Sequence, residues 1–159
     1  MKIKINDYIP DTKFYRITDS GPKVLKTSEI FNGKKLILVG VPGAFTPTCS
    51  DEHLPGFLND FTEFVKKGID QIIFVSVNDP FVLNEWIKTK KADEISYLAD
   101  PFCDFGEKTG LTLDLTVIGL GKRLSRFAML VDNGKVIKLF DEDGGGLDKS
   151  SAKSVIEAL

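Results

Sequence analysis

Two cysteines and a single histidine are too few for a Cys/His metal cluster, and Cys49 and Cys103 stand too far apart for a CxxC pair. Long apolar runs are missing too. The longest, residues 36–41 (LILVGV), falls far short of the roughly 20 residues that cross a bilayer. Net charge is nearly absent: 21 Lys and Arg against 23 Asp and Glu leave −2. The basic residues form no run, so neither nucleic acid nor a membrane surface is an expected partner. No Pro- or Ser-rich linker, internal repeat or charge block divides the chain, and one domain over residues 1–159 is expected. Residues 1–20 lack the apolar stretch of a signal peptide and the pattern of a transit peptide. What remains is a cytoplasmic enzyme or binding domain.

The composition is that of an ordinary globular chain, 42% hydrophobic and 28% charged. A chain of this mass buries about 69% of its unfolded surface, a core that needs no disulfide or metal. Residues 13–17 and 23–26 read as short strands around a Ser20-Gly21-Pro22 turn. After Asn32-Gly33, residues 35–41 form a continuous apolar run, the pattern of a central strand covered on both faces. Leu54, Phe57, Leu58, Phe61, Phe64 and Val65 recur at helical spacing and predict one helix over 48–66, kinked at Pro55. Residues 71–77 are a second buried strand, and Asn78-Asp79-Pro80 starts a helix reaching about 90. A third strand at 94–98 and a helix from Asp100-Pro101 to Gly110 follow. Residues 126–131 and 135–140 face each other across Asp132-Asn133-Gly134 as a hairpin, and 148–159 close the chain as a helix. The order predicts an α/β fold with a mixed central sheet flanked by helices.

One segment carries chemistry. The loop Val41-Pro42-Gly43-Ala44-Phe45-Thr46-Pro47-Thr48-Cys49 leaves the carboxyl end of the central strand, where α/β sheets place their ligands. Cys49 then falls in the first turn of the next helix, where unpaired N–H groups and the helix dipole favour an anion. Spacing alone marks a candidate reactive thiolate, set against the common reading of a cysteine as a small buried hydrophobe.

Pro42-x-x-x-Thr46-x-x-Cys49 resembles the active-site signature of peroxiredoxins. The longer run to Ser50, with His53-Leu54-Pro55-Gly56-Phe57 after it, resembles the peroxiredoxin-5 subfamily in particular. Three further blocks resemble it in the same order: Val75-Ser76-Val77-Asn78-Asp79-Pro80-Phe81, Leu98-Ala99-Asp100-Pro101 and Arg126-Phe127-Ala128-Met129. The resemblance implies a thioredoxin-like fold with an N-terminal β extension, reduction of hydrogen peroxide and alkyl hydroperoxides by a thiol, a homodimer, and no metal or organic cofactor. Cys49 would be the nucleophile, Thr46 would orient the peroxide, Arg126 would place a cation beside sulfur and oxygen, and Pro42 would shield the thiolate. The Arg-Phe-Ala-Met match selects Arg126 and leaves Arg123 on the surface.

Magnitudes say where the rate must come from. Lowering a thiol pKa from about 8.5 to about 6 raises the thiolate fraction at pH 7 about 30-fold, but a Brønsted slope of about 0.4–0.5 takes back about 10- to 18-fold. Little remains, so the acceleration rests on donors arranged around the leaving oxygen.

Many relatives resolve the oxidised cysteine with a second one near the C-terminus, but Gly145-Gly146-Leu147-Asp148-Lys149-Ser150 contains none, and neither does Ile72-Ile73-Phe74-Val75. Cys103, in the first turn of a later helix, reads as a structural thiol, although a helix start also lowers thiol pKa values. One-cysteine chemistry is expected, with glutathione and glutaredoxin, or thioredoxin, as reductant. Two other classes compete. A redox sensor or binding module would use Cys49 oxidation as a signal, but it would not require Thr46 and Arg126 together. A thiol hydrolase would pair Cys49 with His53, four residues on. The adjoining Leu54-Pro55-Gly56 favours packing for His53, and no orienting carboxylate is evident.

Overall fold

The computed structural model describes residues 1–159. In chain order it runs β1 (Lys13–Thr18), β2 (Gly21–Lys26), α1 (Thr27–Phe31), β3 (Lys35–Gly40), a π-helical turn (Cys49–His53), α2 (Leu54–Asn59), α3 (Phe61–Lys66) and β4 (Gln71–Ser76). Then come α4 (Pro80–Thr89), β5 (Ser96–Ala99), α5 (Asp104–Thr109), β6 (Thr112–Leu115), a 3-10 turn (Thr116–Ile118), β7 (Gly121–Leu124), β8 (Phe127–Asp132), β9 (Lys135–Asp141) and α6 (Ala152–Glu157).

The apolar run of β3 lies inside a seven-stranded sheet of order β2-β1-β5-β4-β3-β8-β9. β3, β4 and β5 are parallel, while β8 and β9 run antiparallel beside β3 and the β1–β2 hairpin extends the far edge antiparallel to β5. This is the mixed, helix-flanked sheet with an N-terminal β extension that the resemblance implies. Because side chains alternate along a strand, β3 feeds both faces. Ile37 and Val39 join one core with Phe57, Phe64, Phe74 and Trp86, under α2, α3, α4 and α6. Leu36 and Leu38 join the other with Phe31, Phe105, Phe127 and Met129, under α1 and α5.

Several boundaries differ from the expectation. The single helix over 48–66 is three pieces. Pro55 has no N–H to give and its ring would crowd a regular preceding turn, so that turn widens: the Leu54 N–H reaches the Cys49 carbonyl, five residues back. Asp60 then breaks α2 from α3. The last helix starts at Ala152 rather than 148, where the Ser151 side chain accepts the Ser154 N–H as a cap. The third strand is Ser96–Ala99 rather than 94–98. The helix expected from Asp100 begins only at Asp104, with the Asp100 carboxylate capping it from outside through the Phe105 and Gly106 N–H groups. The α1 helix and the β6–β7 hairpin had no sequence reading.

Gly40 is required where β3 meets β8. It lies opposite Phe127, and an added Cβ would fall 2.0 Å from that ring, which is fully buried. Gly40→Ala should therefore destabilise the fold by about 1–3 kcal/mol through overpacking. In a thermal melt the midpoint should drop by about 2–12 °C, and an unchanged midpoint would mean that β8 can yield.

Candidate active site

The site forms where the exit of β3, the π turn and the start of β8 meet. Arg126 lies one residue before β8 and shares the sheet face of Ala128 and Leu130, by strand alternation. That face belongs to the core containing Cys49, which is completely buried. The Arg126 guanidinium is 2% exposed and spends three edges on fixed partners. Its Nε donates to the Gly145 carbonyl at 3.0 Å, Nη1 to His53 Nδ1 at 2.8 Å, and Nη2 to Cys49 Sγ at 3.1 Å. No carboxylate pairs with it.

His53 is 1% exposed. Its Nε2 lies 2.9 Å from the Ser150 carbonyl, which can only accept, so Nε2 carries the proton and Nδ1 receives the arginine. Both nitrogens are committed and neither meets Cys49, so the Cys–His pair of a hydrolase is not formed. Burial, reinforced by the adjacent Arg126 charge, pushes the His53 pKa down to about 3. Behind Ser150, Glu142 Oε2 accepts the Asp148 N–H at 2.7 Å, the Ser150 N–H at 2.7 Å and the Ser150 hydroxyl at 2.8 Å. Burial pushes this carboxyl up, but those donors outweigh it and hold Glu142 below the usual carboxylate range.

The loop over the thiol is equally tied. Phe45 takes a left-handed backbone (φ 65), a conformation unfavourable for a bulky side chain. Neighbouring bonds impose it: the Ala44 N–H donates to Asn78 Oδ1 at 2.8 Å, and Thr46 Oγ1 donates to the Gly43 carbonyl at 2.6 Å. With its proton spent on Gly43, the Thr46 oxygen is left with lone pairs for a donor. Pro42 is buried at the strand exit. Arg123 is not on the surface as expected. It is half-buried, with Nη1 donating to the Pro42 carbonyl at 3.0 Å and Nε to the Leu120 carbonyl at 2.8 Å, so it braces the loop from β7. On the other side, Trp86 Nε1 donates to Ser50 Oγ at 2.9 Å and pins the π turn to α4.

Thus Cys49 and Arg126 are brought into contact, Thr46 and Pro42 lie on the loop above, and His53 and the 142–150 segment complete the network. His53 was singled out by spacing from Cys49, yet its partner is Arg126, which no spacing in the sequence could indicate. Cys103 lies elsewhere. It packs in the core on the opposite face of the sheet, just before α5, with a left-handed backbone. Burial first, and Asp100 next, push its thiol up to about 11. The helix start that might have lowered it is outweighed by desolvation. A surface cavity of about 690 Å3 between the N-terminal hairpin, α1 and α5 is lined by Lys13, Lys26, Tyr15 and Phe102 among others and includes no residue of the Cys49 site.

A buried cysteine under a guanidinium, at the carboxyl end of a central parallel strand, defines a candidate thiol site on an α/β sheet. Known proteins narrow the class. The redoxin family profile matches residues 4–156. Peroxiredoxin-2D of Arabidopsis thaliana is 44% identical over 160 residues, covering 99% of this chain and 98% of that protein. Reduced Prx3 of Vibrio vulnificus, solved in complex with hydrogen peroxide, superposes with a TM-score of 0.94 at 38% identity, over 98% of each chain. The Plasmodium falciparum antioxidant protein, a 1-Cys peroxiredoxin, gives 0.92 at 31% identity, also over 98% of each. The chain belongs to the peroxiredoxin family, and it is a thiol-dependent peroxidase with a thioredoxin-like fold.

The buried histidine has a consequence for acid stability. Its ordinary pKa is 6.5 and its folded value about 3. Between these the unfolded chain binds a proton that the folded one refuses, so stability is lost as pH falls from 6.5. Asp100 acts oppositely, since burial raises its carboxyl from 3.8 to about 6 and the folded chain then holds the extra proton. His53→Asn removes only the histidine contribution. Relative to that variant, the wild type should lose about 2–3 kcal/mol between pH 7 and pH 4.5 in urea unfolding, and parallel curves would refute a neutral buried His53.

Proposed function

We propose that the enzyme reduces hydrogen peroxide and alkyl hydroperoxides through Cys49 by a one-cysteine cycle. A small thiol such as glutathione, cleared by glutaredoxin, or else thioredoxin, is the reductant. The observation that carries this is the placement of the two cysteines in cores on opposite faces of the sheet. A disulfide needs Cα atoms within about 7 Å, whereas layers packed on a sheet lie about 10 Å from it. Their placement on opposite faces of the sheet supports a cycle in which Cys103 does not resolve Cys49 within one chain.

In the reaction the Cys49 thiolate attacks one peroxide oxygen, the S–O bond forms as the O–O bond breaks, and the departing oxygen takes a proton to leave as water or alcohol. Cys49 is left as a sulfenic acid. Thr46 Oγ1 accepts the peroxide hydroxyl hydrogen and sets its angle. Arg126 Nη2, already on the sulfur, holds a second N–H for the oxygen that gains charge. Pro42 covers the thiolate without an N–H to compete. A thiol then condenses with the sulfenic acid, releasing water and giving a mixed disulfide, and a second thiol displaces Cys49. The oxidised sulfur is as buried as Cys49 itself, so the π turn must loosen before a reductant as large as thioredoxin reaches it.

A homodimer fits the same surface. Phe45, on the loop leaving β3, and Phe81, in the first turn of α4, are 51% and 63% exposed, and the Ala44–Asn78 bond ties the two segments together. Two free cysteines suit a reducing compartment such as the cytoplasm.

Intact mass after one equivalent of hydrogen peroxide tests the cycle. A gain of about one oxygen is expected, progressing to the sulfinic acid with excess peroxide, and absent in Cys49→Ser. A loss of about two hydrogens that disappears in Cys103→Ser would make Cys103 a resolving thiol and end the one-cysteine reading.

Arg126→Lys keeps the charge but loses the planar fork. Oxidation of Cys49 should slow by about 100-fold or more, since removing one preorganised donor has effects of that size. Should the measured change in thiolate content explain the whole loss, the leaving-oxygen role of Arg126 is wrong.

A further inference from the structure

We propose that His53 is a positioning residue for peroxide reduction: a neutral acceptor that fixes the plane of Arg126 while leaving its positive charge for the breaking O–O bond. This rests on the reading of Cys49 and Arg126 given above and names what holds that site in order.

A guanidinium is planar, and two anchored edges fix the third. Gly145 and His53 hold Nε and Nη1 at 3.0 and 2.8 Å, so Nη2 is left facing Sγ. Buried arginines are ordinarily partnered by carboxylates, because an unpaired buried charge is costly. A carboxylate at the Nδ1 position would accept the same hydrogen bond, but it would also pair the charge. Negative charge develops on the leaving oxygen beside Arg126, and a guanidinium already neutralised in a low-dielectric site attracts it less. The imidazole supplies the acceptor without the charge.

That service requires a particular tautomer, and the Ser150 carbonyl selects it by accepting the Nε2 proton. It also requires that His53 never become cationic. The rings of Phe57 and Phe74, with centroids 5.6 and 5.7 Å away, close the site around it. The charged or titratable groups facing it are Arg126 directly, Cys49 through that guanidinium, and Glu142 through Ser150. Burial and the Arg126 charge both oppose its protonation. Glu142 holds the Ser150 end by gathering the Asp148 and Ser150 N–H groups, so the segment between β9 and α6 reaches the reacting sulfur through a continuous run of hydrogen bonds.

Two substitutions separate the ends of the ring. His53→Asn places an amide oxygen where Nδ1 stands and keeps the acceptor for Arg126. His53→Gln reaches the Nε2 position, keeping the donor to Ser150 and losing that acceptor. On a Cys103→Ser background, stopped-flow oxidation by hydrogen peroxide should stay within about threefold of the parent for Asn and fall about 10- to 150-fold for Gln, the range for a hydrogen bond to a charged group. Alkylation of Cys49 by iodoacetamide has no leaving oxygen, and it should change far less than peroxide oxidation in the Gln variant. Equal losses in the two variants, or parallel losses of alkylation and oxidation, overturn the proposal in favour of packing alone.

A measurement on the unaltered protein keeps the idea testable if a variant fails to fold. The chain has one histidine, so its 15N signals are unambiguous. They should show the Nε2–H tautomer unchanged from pH 8 to about pH 4. A titration near the ordinary value of 6.5 overturns it. Absence of peroxide oxidation in the wild type would instead remove the peroxidase reading, and the tautomer measurement would stand apart from it.

Discussion

The guanidinium of Arg126 is the constraint on which the active half of the molecule depends. A cation 2% exposed and without a carboxylate partner is an expensive thing to bury. It is tolerable only because three rigid acceptors surround it: a backbone carbonyl from the 142–150 segment, a histidine from the π turn, and the sulfur of Cys49. One comes from the segment after β9 and two from the π turn, so the arginine ties the start of β8, the segment after β9 and the turn after β3 into one unit. Its need for acceptors is what brings its Nη2 onto the sulfur of Cys49.

Around that contact the fold accepts local departures from regular structure. The π turn, the left-handed Phe45 and the split between α2 and α3 all fall within the segment that bears Cys49. Widened turns and strained residues persist where neighbours over-determine them. Here those neighbours are Asn78 on the Ala44 N–H, Arg123 on the Pro42 carbonyl and Trp86 on Ser50. The same bonds must yield if a bulky reductant is to reach the sulfur, so rigidity during peroxide attack and access afterwards make opposite demands on one turn of chain.

The sheet divides the two thiols by chemistry as well as by distance. Cys49 meets a cation, while Cys103 sits among Leu124, Gly106 and Asp100, where burial and a carboxylate keep it protonated. One chain thus contains a thiol that meets a cation and a thiol packed among core side chains.

Local features of the sequence suffice for the sheet-centred α/β class and for singling out Cys49 as the candidate reactive thiol. These rest on local properties: the unbroken apolar run of β3, the amphipathic period of 54–65, and a cysteine just after a Pro/Gly loop. Helix ends were less legible, because Ser151 and Asp100 cap through side chains whose targets depend on the folded backbone. The short β6–β7 strands carried no marked alternation, and they pair only beside the rest of the core. Contacts across long separations appear only once the chain has folded. Arg126 reaches His53 and Cys49, separated from it by 73 and 77 residues, because strand alternation turns it onto their face of the sheet. Arg123, three residues earlier, belongs to a different hairpin and braces the loop instead. The direction of a side chain relative to a sheet face is set by register, and register is fixed only when the strands pair.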